Sequence, residues 1–181
     1  MKTLVVYYSR TGSNKYLAEK IAHTLRGDIE AITPRLNLFP VLLLFSSINI
    51  SMGIKALKHR VHEYDAVIVC GPVWMGQLIS PLRDVIKKHC TRINHLYFAT
   101  CCGSSDSKKD DKFGYSNVFL QVKRLVGDTC VHCEAFPIGL VLPEDKKEDS
   151  DAVMNTRLSD HNFTDHIQRR LENFIQKVAE K

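Results

Sequence analysis

No part of this sequence supplies the roughly 20 consecutive apolar residues that a membrane-spanning helix requires. The nearest approach, Leu36 to Ile54, is broken by Asn37, Pro40, Ser46, Ser47 and Asn49. A membrane span is therefore excluded, and an irregular connection is expected there, with a helix beginning near Ser51. An export signal is missing too, since Arg10 interrupts a short apolar start and no small-residue cleavage site follows. The protein is therefore expected to remain in the cytoplasm. Neither the Gly-x-Gly-x-x-Gly pattern of dinucleotide sites nor the Gly-Lys-Thr of nucleoside triphosphatases occurs. The eight histidines are scattered, and none pairs with a nucleophile.

Six cysteines are present, mostly in apolar, strand-like surroundings: Cys70, Cys90, Cys101, Cys102, Cys130 and Cys133. They read as reduced core thiols and imply no disulfide framework. Cys130-Val-His-Cys133 is a solitary Cys-x-x-Cys; no second pair completes a metal set. In a regular strand residues three apart point to opposite faces, so these two thiols are read as structural.

Charge is nearly balanced. The 25 Lys and Arg against 20 Asp and Glu give +5, spread along the chain, which favours anionic ligands generally and not nucleic acid in particular. Lys108 to Lys112 mixes both signs and reads as a solvated loop. What remains is a 44% hydrophobic chain of 181 residues, enough to bury about 70% of its unfolded surface in one core. A single domain over residues 1–181 is expected.

Leu4 to Tyr8 is a short apolar run that opens onto Ser9-Arg10-Thr11-Gly12-Ser13-Asn14, after which Leu17, Ile21 and Leu25 recur at helical spacing. Gly27 stands where a left-handed helix C-terminal residue is expected, and Ile29 to Ile32 is a second strand. Ala66 to Cys70 is apolar without alternation, as in a parallel strand covered on both faces, and Gly71-Pro72 breaks it. Ser80-Pro81 starts a helix; His95 to Cys101 is a fourth strand, Asn117 to Val126 a helix, and Glu134 to Leu142 a fifth strand whose Pro137 marks an edge or bulge. Leu142 to Asn162 is a polar surface connection, and Thr164 caps a final amphipathic helix. Alternating strands and helices predict an α/β fold, a doubly wound five-stranded parallel sheet of order 2-1-3-4-5 with helices on both faces.

The loop from Ser9 to Asn14 lies between a buried strand and a helix N-terminus, where free backbone N–H groups and partial positive charge hold phosphate. Gly12 allows close approach, and the Ser9, Thr11 and Ser13 hydroxyls and the Asn14 amide are donors. An ordinary capped helix start is the other reading. No cysteine occupies the loop, which disfavours a thiol-nucleophile phosphatase and points to binding rather than phosphoryl transfer. Pro72-Val73-Trp74-Met75-Gly76 follows the third strand, and in this strand order it faces the first loop across the switch point. Trp74, the only tryptophan, offers a flat contact for a ring. Thr100-Cys101-Cys102-Gly103 ends the fourth strand and would close the ring's other side; Tyr115 either stacks there or is structural. No acidic cluster follows strand 1, which disfavours a signalling receiver.

Tyr-Tyr-Ser-Arg-Thr-Gly-Ser-Asn resembles the phosphate loop of the flavodoxin family, and Gly-Pro-Val-Trp-Met-Gly is similar to the ring-binding loop of its flavodoxin-like NAD(P)H reductase branch. The resemblance implies a flavodoxin-like fold binding one FMN: Ser9 through Asn14 on the phosphate, Pro72 through Gly76 on the ring and ribityl, Thr100 through Gly103 on the opposite ring edge. It implies electron transfer to a redox partner protein, or alternatively an NAD(P)H-dependent reductase with a quinone or other small acceptor, and it calls for no catalytic side chain and no metal. Two departures stand out: the chain is basic where carrier flavodoxins are acidic, and Val41-Leu42-Leu43-Leu44-Phe45 is unusually apolar. Burial accounts for the second; a homodimer contact or a lid over a hydrophobic acceptor is the alternative.

Overall fold

The computed structural model describes residues 1–180. In chain order its elements are β1 (Thr3–Tyr7), α1 (Ser13–Leu25), β2 (Asp28–Ala31), α2 (Phe39–Ser47), β3 (Ala66–Cys70), β4 (Val73–Trp74), β5 (Gln77–Leu78) and α3 (Ser80–His89). There follow β6 (His95–Cys102), α4 (Tyr115–Val126), β7 (Cys130–Pro137), α5 (Ser150–Asn155) and α6 (Asp165–Ala179). Five parallel strands form one sheet in the order β2-β1-β3-β6-β7, the predicted 2-1-3-4-5, and β4 pairs with β5 as a separate antiparallel hairpin.

The strands alternate between two cores. Leu4, Val6, Val67, Val69 and Phe98 face α3 and α4, whereas Val5, Ile68, Tyr97, Ala99 and Phe136 face α1 and α6. Both sets are buried, which is why β3 reads as an unbroken apolar run with no polar alternation. Edge strand β2, Asp-Ile-Glu-Ala, is largely exposed and carries charge, which blunts the sheet edge against further pairing.

Four expectations are corrected. A helix forms over Phe39–Ser47, where an irregular connection was expected, and none begins near Ser51; Pro40 in its first turn needs no N–H partner, so it starts the helix instead of breaking it. The left-handed residue ending α1 is Arg26 (φ 51°), not Gly27. The last strand begins at Cys130 and stops at Pro137, after which Ile138–Val141 is a 3-10 turn. The polar connection after Leu142 contains a short helix, α5, capped by the Asp149 carboxylate, which accepts from the Asp151 and Ala152 amides.

The Cys130 and Cys133 thiols also depart from the regular-strand expectation. The register slips between Leu96, opposite Cys130, and Tyr97, opposite His132, leaving Val131 as an extra residue. Such a bulge turns two successive residues to one side, so both cysteines pack against the α3/α4 core with their sulfurs 3.5 Å apart.

At the carboxyl side of the sheet Arg170 of α6 bonds the Glu134 carboxylate of β7 (2.8 Å) and the Asp106 carboxylate (2.8 Å) in the loop after β6. Burial pushes the Glu134 carboxyl up, but hydrogen bonds from His132 and Arg170 outweigh it and leave it below the ordinary carboxylate range. Asp106 is likewise raised by burial and lowered further by Arg170 and Tyr115. With folded values depressed, this network stabilises the protein above the ordinary carboxylate pKa of about 4 and ceases to do so as pH falls through the lowered values. Urea unfolding should show Arg170→Ala costing about 2 kcal/mol at pH 7, because Arg170 and Glu134 are largely buried while Asp106 is half exposed. That difference between variant and parent should shrink as the pH drops below 4; a difference constant with pH would rule the network out as its source.

Candidate functional site

Polypeptide leaving the carboxyl ends of β1, β3 and β6 meets at a cavity of about 220 Å³. Arg10, Thr11, Ser13 and Asn14 line it from the first loop, Pro72, Val73 and Trp74 from the second, and Cys101, Cys102 and Gly103 from the third. This is where strand order reverses between β1 and β3, the position at which open α/β sheets receive ligands.

The first wall is a helix N-terminus with its donors free. Gly12 (φ 103°) is the N-cap residue of α1, and the Tyr16 amide makes the helix's first backbone bond, to the Gly12 carbonyl (2.9 Å). Gly12 itself donates to Ser9 Oγ (3.1 Å), closing the turn. The amides of Ser13, Asn14 and Lys15 have no acceptor within the described residues, leaving an uncompensated donor set with the positive end of the helix dipole behind it. Arg10 and Arg157 add two cations to the lining, and no acidic side chain joins them. The site therefore suits an anion.

Asn14 differs from expectation. Its side-chain nitrogen donates to the Cys101 carbonyl (2.9 Å), and its side-chain oxygen accepts from the Cys101 amide (2.8 Å). One N–H of its side-chain NH2 and its oxygen are thus committed to Cys101, which fixes the first loop against the end of β6 and leaves only the second N–H for a ligand. Ser13 is partly engaged as well, accepting from the Leu158 amide (3.2 Å), but keeps its own hydroxyl hydrogen.

The second wall is a tight hairpin. Val73 pairs with Leu78 and Trp74 with Gln77, so Met75 (φ 52°) and Gly76 (φ 69°) form a two-residue turn with both residues left-handed, the geometry that matches strand twist in hairpins. A Cβ at Gly76 would lie 2.5 Å from the Lys112 carbonyl oxygen, so only glycine fits there. Gln121 of α4 holds the hairpin from behind, donating to the Gly76 carbonyl (3.1 Å) and accepting from the Leu78 amide (3.2 Å). Met75 and Gly76 stand at the turn's tip and do not line the cavity. Trp74 does; it meets Phe39 edge-on at 5.0 Å and Tyr8 at 6.1 Å.

On the third wall, burial pushes the Cys101 thiol up to about 12, and the Cys102 thiol is also raised by burial. Both stay protonated near neutrality and act as small neutral surfaces, not nucleophiles. Thr100 lies deeper, fully buried with an unpartnered hydroxyl. Ser9 and Gly12 line a neighbouring cavity of about 360 Å³ on the other side of the first loop, shared with Arg10. Tyr115 is outside the site altogether: its ring packs on Phe119 and its hydroxyl donates to Asp106 (2.6 Å), which holds it in the core.

Neither family models nor curated protein sequences match the chain. Solved structures do. A flavoprotein in complex with FMN from Lactobacillus acidophilus NCFM aligns with TM-score 0.62 at 16% identity, over 74% of this chain and 92% of its own. A flavodoxin of Streptococcus pneumoniae TIGR4 aligns at TM-score 0.54 and 15% identity over 99% of both chains. An NADPH-quinone reductase from P. pentosaceus aligns at TM-score 0.57 and 14% identity, over 97% of this chain and 96% of its own.

The chain has the flavodoxin-like fold. Within it, two parts of the site escaped the sequence. Phe39 reaches the cavity because Pro40 starts α2 at that point, and the Arg10 guanidinium lies over its ring at 3.4 Å from the centroid. Val153, Met154 and Arg157 enter from α5 and the turn after it, in a stretch whose only signal was the cap at Asp149.

Replacing Asn14 by Ala would strand a buried amide and a buried carbonyl at Cys101. The expected cost is about 2 to 4 kcal/mol, read as a lower urea midpoint with unchanged slope. A loss under 0.5 kcal/mol would show that water replaces the clasp freely.

Proposed function

We propose that this protein binds FMN non-covalently at the cavity between the β1, β3 and β6 loops and serves as an electron carrier. The observation that carries the reading is that one cavity gathers free helix-N-terminal amides and two arginines together with a tryptophan. A phosphomonoester suits the first, and a flat, apolar tricyclic ring suits the second. The Ser13, Asn14 and Lys15 amides, the Thr11 and Ser13 hydroxyls and Arg10 or Arg157 would hold the phosphate. Val73, Trp74 and the backbone of Cys101 to Gly103 would hold the ring.

Bound FMN supplies the redox chemistry; the chain binds it, orients it and sets its surroundings. No carboxylate, imidazole or amine side chain lines the cavity, and burial keeps the Cys101 and Cys102 thiols neutral. That composition fits a carrier, which needs no proton donor of its own. A reductase taking hydride from NAD(P)H is the second reading, favoured by the Pro-Val-Trp loop and the basic charge.

A volume of about 220 Å³ is below the 300 to 1,000 Å³ of typical cofactor and ligand sites. Loading would therefore move Arg10 and Phe39 outward, and Phe39→Ala should speed FMN association in stopped flow.

Titration with FMN should quench Trp74 fluorescence and give a bound-flavin spectrum. Riboflavin should bind at least about tenfold more weakly, for want of charge-assisted phosphate bonds. Trp74→Ala should weaken FMN by about three- to tenfold. A folded protein that takes up no flavin overturns the proposal. Anaerobic mixing of the loaded protein with NADPH separates the two readings: rapid bleaching identifies a reductase, and a stable oxidised spectrum a carrier.

A further inference from the structure

Between Arg35 and Lys55 no residue carries a charge, and the helix α2 in this segment is attached to the domain by one face only. Its buried residues are Leu42 and Ser46; the Ser46 hydroxyl oxygen accepts from the Ser80 amide at the start of α3 (2.9 Å). Beyond the helix the Met52 and Gly53 amides donate to the Asp84 carboxylate of α3 (3.1 and 2.8 Å). The opposite face presents Leu44 and Ile48, with Leu36, Leu38 and Ile50 on either side, each between 44% and 57% exposed. A surface helix ordinarily turns polar residues outward. Among the described residues, five of the eleven exposed large apolar ones are gathered on this one segment instead, as at surfaces that meet a partner.

The surrounding charge selects the occupant. Arg35 and Lys55 bound the segment, and Arg35 shares a cavity with Ser51, Ile54 and the Lys87 and Lys88 of α3. The one carboxylate in that cavity, Asp84, is already engaged by the two amides. The result is an apolar centre beside cations that have no acidic counterpart there. Two copies meeting face to face would bring like rims together, since a two-fold contact pairs the same patch with itself. An anionic lipid surface takes both parts: acyl chains receive the leucines and isoleucines, and headgroup charge meets the lysines and arginine.

We propose that α2 docks this protein peripherally on anionic bilayers, with Leu44 and Ile48 entering the boundary between headgroups and acyl chains. Phe39, at the start of the same helix, lines the cavity at the switch point, so docking turns the cavity's mouth toward lipid. The docking stands apart from the flavin reading; only its use, bringing a bilayer-dissolved acceptor near the flavin, rests on it.

The test is co-sedimentation of the full chain, with and without FMN, on sucrose-loaded vesicles of phosphatidylcholine alone or with phosphatidylglycerol. Binding is expected with phosphatidylglycerol, at least about tenfold weaker without it, and reduced by salt. Leu44→Gln with Ile48→Gln should weaken it at least about tenfold, and Lys87→Glu with Lys88→Glu should do so to a similar extent. Circular dichroism checks that both variants fold; neither pair touches the cavity or the buried face of α2. Failure to sediment with either vesicle overturns the proposal, as does binding insensitive to both variants. Light scattering that shows a dimer abolished by the Leu44 and Ile48 changes would assign the face to a second copy and overturn it equally. Vesicle binding without flavin uptake would leave the docking standing and remove the proposed electron carrier; flavin uptake without vesicle binding would do the reverse.

Discussion

The candidate site depends on one buried amide. Asn14 stands at the start of α1, and by bonding both the carbonyl and the amide of Cys101 it sets the distance between the first loop and the end of β6. The Cys70 thiol donates to the Asn14 carbonyl from the strand between them (3.4 Å), so all three central strands converge on this residue. A side chain with two donors and one acceptor oxygen can bridge a peptide's N–H and C=O together, which a hydroxyl cannot do with the same reach. The free amides of α1 face a cavity instead of collapsing onto the sheet because this clasp spaces the walls.

Much of the fold was legible because parallel strands buried on both faces leave an unmistakable trace. Ala66-Val-Ile-Val-Cys70 has no polar position to hide, and the polar turn after Tyr8 could only be a connection to a helix. The site was legible to the extent that it is built from strand ends, as with Arg10, Thr11, Trp74 and Cys101. What failed did so for particular reasons. Phe39 belongs to a helix whose apolar residues run all round it, so no periodicity announced which face was inward. Tyr115 was left open between stacking and a structural role because an aromatic near such a site reads the same either way in sequence; the Asp106 carboxylate, brought in by the intervening loop, holds its hydroxyl in the core. The side-by-side thiols of Cys130 and Cys133 depend on a single inserted residue in a strand pair, which a period-two reading cannot anticipate.

Charge and burial divide labour around the cavity. The cations line it while the acids stay outside: Asp106 and Glu134 are neutralised by Arg170, and Asp160 by Lys20 (2.7 Å). The chain's net positive charge is modest, yet within the cavity the imbalance is complete, because every lining residue that carries charge is an arginine. A net charge of +5 by itself said little about ligands; the segregation of signs says more.

The hairpin that presents Trp74 is held firmly at Gly76. The Gly76 carbonyl is tied to Gln121, and the space where its side chain would stand is closed by the Lys112 carbonyl. Rotating the peptide that follows Gly76 would forfeit the Gln121 bond. The peptide between Met75 and Gly76 carries no such tie, but Met75 already occupies a left-handed conformation that costs a non-glycine residue about 1 kcal/mol or more. Such strain persists only where neighbouring contacts over-determine the backbone, and here Gln121 grips the second residue of the turn and the strand that follows it. The wall that carries Trp74 is thus set in place by α4. Adjustment falls to Arg10, whose guanidinium rests on the Phe39 ring beside Trp74 by a stacked contact that can open at small cost.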